Sequence, residues 1–188
     1  KMNKFERALF EVKEFDETAH YGKFEIEPLE RGFGTTIGNA LRRVLLSSLP
    51  GAAVFSIKIE GVYHEFTSIA GVGEDVTGIV LNVKDLVLNV TDDEIYTLRI
   101  SQKGPKVVTA GDIECPTNVE ILNKDLIIAT LAEGAVLEME LKARNGRGYV
   151  SSDENKFIYQ NSLQGIGTIF TDSIYTPIER VKFNVEPT

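Results

Sequence analysis

Residues 28–51 constrain the fold more than any other stretch of this chain. They read Pro28-Leu-Glu-Arg-Gly-Phe-Gly-Thr-Thr-Ile-Gly-Asn-Ala-Leu-Arg-Arg-Val-Leu-Leu-Ser-Ser-Leu-Pro-Gly51. A turn, a helix start, an amphipathic helix and a hard stop follow one another. Thr35 or Thr36 is the expected N-cap, a side-chain oxygen there accepting an early backbone N–H. At 100° per residue Ile37, Ala40, Leu41, Val44, Leu45 and Leu49 share one side, the pattern of a helix laid on a core. Pro50-Gly51 stops the helix, because proline disfavours helical geometry in the residue before it and has no N–H to donate. On the other side Asn39, Arg43 and Leu46 recur at i, i+4 and i+7, with Arg42 beside them. Spacing alone leaves two readings of that face: a solvated surface with one exposed leucine, or a partner contact built on arginine and leucine.

The rest of the chain is mostly period-2. Phe5–Phe15 and Gly22–Leu29 are expected strands across a polar turn at 16–20. Val54–Ile59 and Val62–Phe66 alternate in the same way. Within Gly73–Val83 the period changes. Val76, Ile79, Val80 and Val83 take helical spacing behind Glu74-Asp75, acids that suit the positive end of a helix dipole. Leu86–Val90 and Ile95–Ser101 flank Thr91-Asp-Asp-Glu94, an expected hairpin turn. Asn118–Leu122, Leu126–Thr130 and Ala135–Ala143 are further strands. Residues 145–148 read as a loop, 151–164 as a polar loop, and Thr168–Tyr175 and Ile178–Glu186 as closing strands. Scarce helix among many short strands predicts an α+β fold. The expected organisation is discontinuous: residues 1–50 and 177–188 form one sheet-plus-helix subdomain, and residues 51–176 a strand-rich subdomain inserted into it.

Composition narrows the function classes. The formal net charge of −8 argues against direct, strong DNA binding, because neutralising phosphates needs a basic surface. A single cysteine, Cys115, allows no internal disulfide and fits a cytoplasmic protein. No apolar run approaches the roughly 18 residues of a membrane span, and the charged N-terminus lacks a signal peptide's apolar core. Gly32-Phe-Gly34-Thr-Thr-Ile-Gly38, with Glu60 downstream, partly fits a dinucleotide-binding fingerprint. Its glycine spacing is one residue too long, and no βαβ series follows. His20, His64 and Cys115 are too scattered for a structural metal site, so neither a metal nor a cofactor is expected. The carboxylates lie in turns or on alternating strand faces and form no acid–base pair. Arg144-Asn-Gly-Arg-Gly148 is the most basic loop, read as solvated or as a minor contact. Asn89-Val-Thr91 fits a glycosylation pattern that a cytoplasmic chain would not use.

Several collinear motifs then converge. The stretch Glu27–Ala52 resembles the signature of the N-terminal domain of the bacterial DNA-directed RNA polymerase alpha subunit. Ile59-Glu-Gly-Val-Tyr-His-Glu-Phe66, Glu74-Asp-Val76, Leu81-Asn-Val-Lys84, Arg147-Gly-Tyr149 and Tyr175-Thr-Pro-Ile-Glu-Arg-Val181 match in order. The resemblance implies a non-catalytic homodimerising scaffold within a nucleotidyltransferase complex, which recruits the beta and beta-prime subunits for transcription. It implies that Ile37, Leu41, Val44 and Leu45 serve both core and dimer seam, so that a charge at Leu41 would damage folding. Asn39, Arg42, Arg43 and Leu46 fall on a beta-contacting face, with His64, Glu65, Phe66, Glu74 and Asp75 in a second beta region. Lys84, Ser173, Tyr175, Pro177, Glu179 and Arg180 match regions that approach beta-prime. It also implies that the sequence stops before the last dimerisation helix and the separate C-terminal domain.

Overall fold

A computed structural model of the chain describes residues 7–162 and 165–187. Mostly antiparallel sheets are interspersed with three helices among the described residues, an α+β fold. The chain divides into two compact units, residues 1–45 with 180–188, and residues 46–179.

In the first unit, strands β1 (Leu9–Asp16) and β2 (Tyr21–Glu27) form an antiparallel hairpin. Phe5 and Glu6 of the expected first strand lie outside the described residues. Cross-strand pairing sets Phe10 opposite Ile26 and Val12 opposite Phe24, and the rings of Phe10 and Phe24 stack at 5.2 Å. Helix α1 (Phe33–Ser47) follows. It starts before Thr35 and Thr36, which therefore sit in its first turn and not at its N-cap. Residues 178–186 form no strand; the structure replaces that expectation with packing against α1. Gly34 and Gly38 lie one helical turn apart, and a Cβ on Gly34 would approach Val185 Cγ1 to 2.7 Å, while one on Gly38 would collide with the Phe183 ring.

The second unit is organised by β3 (Pro50–Ile59), whose residues 53–57 are all buried. A strand covered on both faces reads as a nearly continuous apolar run. It pairs with β9 (Val136–Arg147), which pairs in turn with β5 (Tyr96–Lys103). On its other side β3 meets β4 (Leu88–Val90) and β11 (Thr168–Phe170), and β4 pairs with β7 (Val119–Ile121). Along β9, Leu137, Met139, Leu141 and Ala143 are buried while the residues between them are not. That is the period-2 rule at work. The intervening side chains pair across strands, Arg99 with Glu140 at 3.1 Å and Ser101 with Glu138 at 2.6 Å.

A separate pair, β6 (Lys106–Thr109) and β8 (Ile127–Leu131), and helix α2 (Val76–Lys84) close over the core. Where β3 pairs with β9, a bulge lets Phe55 stack on Tyr159 of helix α3 (Ser152–Tyr159) at 4.3 Å. Strands β10 (Tyr149–Val150) and β12 (Ser173–Ile174) pair beside them.

Four further expectations give way. Val62–Phe66 is not a strand, because Gly61 takes a φ of 77° and the Val62 amide turns back to the Ile59 carbonyl. Thr91–Glu94 joins no hairpin: β4 and β5 pair elsewhere, and Asp92 holds the turn by accepting from the Glu94 amide and the Tyr96 hydroxyl. The loop expected at 145–148 is largely strand, since Gly146 pairs with Gly51. The polar stretch after Ser151 holds α3, started by a capping box between Ser151 and Glu154; Leu163 and Gln164 lie outside the described residues.

Candidate functional site

The expected contact residues fall into three groups, and the structure treats each differently. Helix α1 carries the first. None of its fifteen residues is buried. Leu41 is 43% exposed and Val44 50%, while Ile37, Leu45 and Leu46 are half-buried. This corrects the expectation that Ile37, Leu41, Val44 and Leu45 belong to the chain's own core. The side of α1 that meets Phe183 and Val185 is its glycine side. Asn39, Arg42 and Arg43 are exposed. The glycine-rich turn also loses its resemblance to a phosphate cradle. The space a phosphate would need at Gly34 and Gly38 is taken by the chain's own side chains.

The second group gathers at the N-terminus of α2. Asp75 caps the helix, accepting from the Gly78 amide at 2.6 Å, an arrangement worth about 1 kcal/mol. The Glu74 carboxylate accepts from the Thr130 amide at 2.6 Å and the Thr130 hydroxyl at 3.0 Å. The preceding loop is tied to the same corner. Thr77 donates to the Glu65 carbonyl at 3.0 Å, and the Val76 amide to the Thr67 carbonyl. His64, Glu65 and Phe66 are thus brought beside Glu74 and Asp75. Phe66 is 80% exposed and neighbouring Tyr63 71%. Tyr63 is not among the expected contact residues, although it is a large aromatic inside a matched motif.

The third group lies at the C-terminus of α2. Lys84 pairs with Asp172 at 2.7 Å. The other Asp172 oxygen accepts from the Ser152 amide at 2.9 Å, at the start of α3. The Lys84 ammonium, and then that amide, hold the Asp172 carboxyl below the usual carboxylate range. Ser173 is fully buried and donates to the Val54 carbonyl. Tyr175 is also buried. A Cβ on Gly146 would come within 2.8 Å of its ring, and one on Gly51 would collide with its carbonyl. That cross-strand glycine pair forms the slot in which Tyr175 lies, and burial pushes its phenol pKa up. Ser173 and Tyr175 are therefore corrected from contact side chains to internal packing. Pro177 and Glu179 remain exposed in this unit, and Arg180 is exposed in the other. Asp172 was not foreseen, because it is 88 positions from Lys84 and follows no spacing rule.

Elsewhere the chemistry is sparse. Among the described residues no three His, Cys, Asp or Glu side chains come together to hold a metal ion. Partial desolvation pushes the pKa of the Cys115 thiol up, although the residue as a whole is exposed. No helix among the described residues is long and apolar enough to cross a membrane.

The RNA polymerase Rpb3/RpoA insert domain matches residues 57–176. Nearly the whole chain, 98% of it, aligns at 52% identity over 184 residues with the DNA-directed RNA polymerase subunit alpha of Alkaliphilus metalliredigens (strain QYMF). The chain belongs to the RNA polymerase alpha-subunit family. It spans 57% of that relative's length. The matched insert coincides with the strand-rich body of the second unit, so two of the three groups lie within the insert or at its edge, and α1 lies outside it.

Proposed function

We propose that this chain is a non-catalytic scaffold of DNA-directed RNA polymerase in the cytoplasm. Two copies associate, and the pair nucleates assembly by binding the beta and beta-prime subunits. The observation that carries this reading is α1, an amphipathic helix whose apolar side chains the chain itself does not bury. Leu41 and Val44 would be covered by the second copy. Asn39, Arg42, Arg43 and Leu46 would meet beta, and the corner of His64, Glu65 and Phe66 at α2 would form a second beta region. Lys84, Pro177 and Glu179 of the second unit, and Arg180 of the first, mark regions that approach beta-prime.

Sedimentation velocity over a range of concentrations, with and without the beta subunit, tests both halves. The expected result is reversible self-association that Leu41→Asp abolishes. Arg43→Ala should leave self-association intact and weaken beta capture by about 2–4 kcal/mol, the range of a hot-spot arginine. A chain that stays monomeric at every concentration, or undiminished beta capture by Arg43→Ala, would overturn the corresponding half.

A further inference from the structure

The junction at the C-terminus of α2 assigns Lys84 a task other than touching a partner. Its side chain is 22% exposed and that of Asp172 is 29% exposed, so the pair is largely withdrawn from solvent. Asp172 stands between two buried residues, Thr171 and Ser173. Their hydroxyls both donate to the Val54 carbonyl, at 3.3 and 3.0 Å. Asn155 of α3, itself buried, donates to the Thr171 carbonyl at 2.8 Å and to the Ser173 hydroxyl at 3.0 Å. One carboxylate thus fastens α2 through Lys84 and the first turn of α3 through the Ser152 amide. Three residues later the Tyr175 amide closes on the Gly148 carbonyl at 2.8 Å. Backbone and side-chain bonds fix residues 171, 173 and 175, and the ion pair with Lys84 ties residue 172 to α2.

We propose that Lys84 is a positioning residue: it acts through Asp172 to tie residues 171–177 to the end of α2 and to keep the carboxylate aimed at the first turn of α3, and so presents the exposed Pro177 and Glu179 in one conformation. This deepens the scaffold reading and rests on it for the identity of the partner, the beta-prime subunit. A direct contact would need the ammonium free to meet that partner. Here its charge is already matched, and its exposure is low.

Amide hydrogen exchange on the chain alone, together with capture of beta-prime in the presence of beta, tests the assignment. Lys84→Gln should speed exchange at Ser152 and Tyr175 by up to about fivefold, as loss of a partly solvated ion pair predicts. Exchange at Ile57 and Leu141 should not change, which shows that the sheet persists. Lys84→Arg, which still reaches the carboxylate, should keep both amides slow. Lys84→Gln and Asp172→Asn should reduce capture by similar factors, and the double variant no further, since the two act as one unit. Unchanged exchange at Ser152 and Tyr175 in Lys84→Gln would overturn the proposal. So would a loss of capture in Lys84→Gln that Asp172→Asn does not share. If the amides respond as expected but the unaltered chain captures no beta-prime, the positioning role stands and the scaffold reading is what fails.

Discussion

Helices α1 and α2 both carry apolar residues at helical spacing and differ in what they do with those side chains. Fifteen residues long, α1 buries none of them. The nine residues of α2 include Val76, Ile79 and Val83, all buried, and Asp75 caps its start. Apolar periodicity states that a helix has a face to cover. It does not state whose surface covers it. For α2 the cover is the sheet of its own unit; for α1 the side chains at Leu41 and Val44 are left for something else.

The largest effect expected from this contrast is on stability. Ile79 is fully buried. Ile79→Ala should destabilise the chain by about 2–5 kcal/mol, the transfer loss plus an unfilled cavity. Leu41→Ala should cost under about 1 kcal/mol in the isolated chain, as a substitution at a half-open site does. Even Leu41→Asp should leave the second unit's urea transition in place. Equal losses for Ile79→Ala and Leu41→Ala would mean that α1 is packed as α2 is.

A smaller effect separates the two sides of α1. Gly38 faces the Phe183 ring. Gly38→Ala gains about 1 kcal/mol of helix propensity, but it drives Phe183 out of its seat. The expected outcome is a helix of undiminished helicity whose ring contacts with Phe183 are lost in proton NMR. If those contacts survive, the C-terminal segment does not depend on the bare backbone of α1.

The contrast also marks where sequence is informative. In α2 the spacing of Val76, Ile79 and Val83 marks an apolar face, and the acids before it are an N-terminal signal. Strand β9 is equally plain, because strict alternation is what a half-buried strand requires. Helix α3 left little periodic trace: only Asn155 and Tyr159 of its eight residues are buried. Its Ser151–Glu154 capping box was the local signal that reveals it. Strand β6 is a four-residue strand behind Pro105 with only Val108 buried. Helical spacing marks the two faces of α1, whereas the candidates around α2 and at residues 173–180 rest on resemblance. Their division into exposed Phe66, engaged Glu74 and Asp75, and buried Ser173 and Tyr175 needed three-dimensional packing. Long-range pairs such as Glu74 with Thr130 and Lys84 with Asp172 follow no local rule.

The smallest effect lies in acid. No carboxylate occurs between Phe33 and Ser47 of α1, whereas α2 ends on the Lys84–Asp172 pair. The folded pKa of Asp172 is lowered, first by Lys84 and then by the Ser152 amide. Its contribution to stability is therefore complete above the unfolded value of about 3.9, and fades as pH falls through the lower folded value. The pair is partly solvated, so the contribution should be about 1 kcal/mol or less. Asp112, held down by Lys106, and Asp92, held down by Tyr96, titrate in the same sense. The informative quantity is thus the difference between the unaltered chain and Asp172→Asn in denaturant unfolding. That difference should be present at neutral pH and shrink below about pH 4. A difference that stays constant down to the acid transition would mean that the amide loses packing rather than charge, and that the end of α2 is held, like the glycine side of α1, by shape alone.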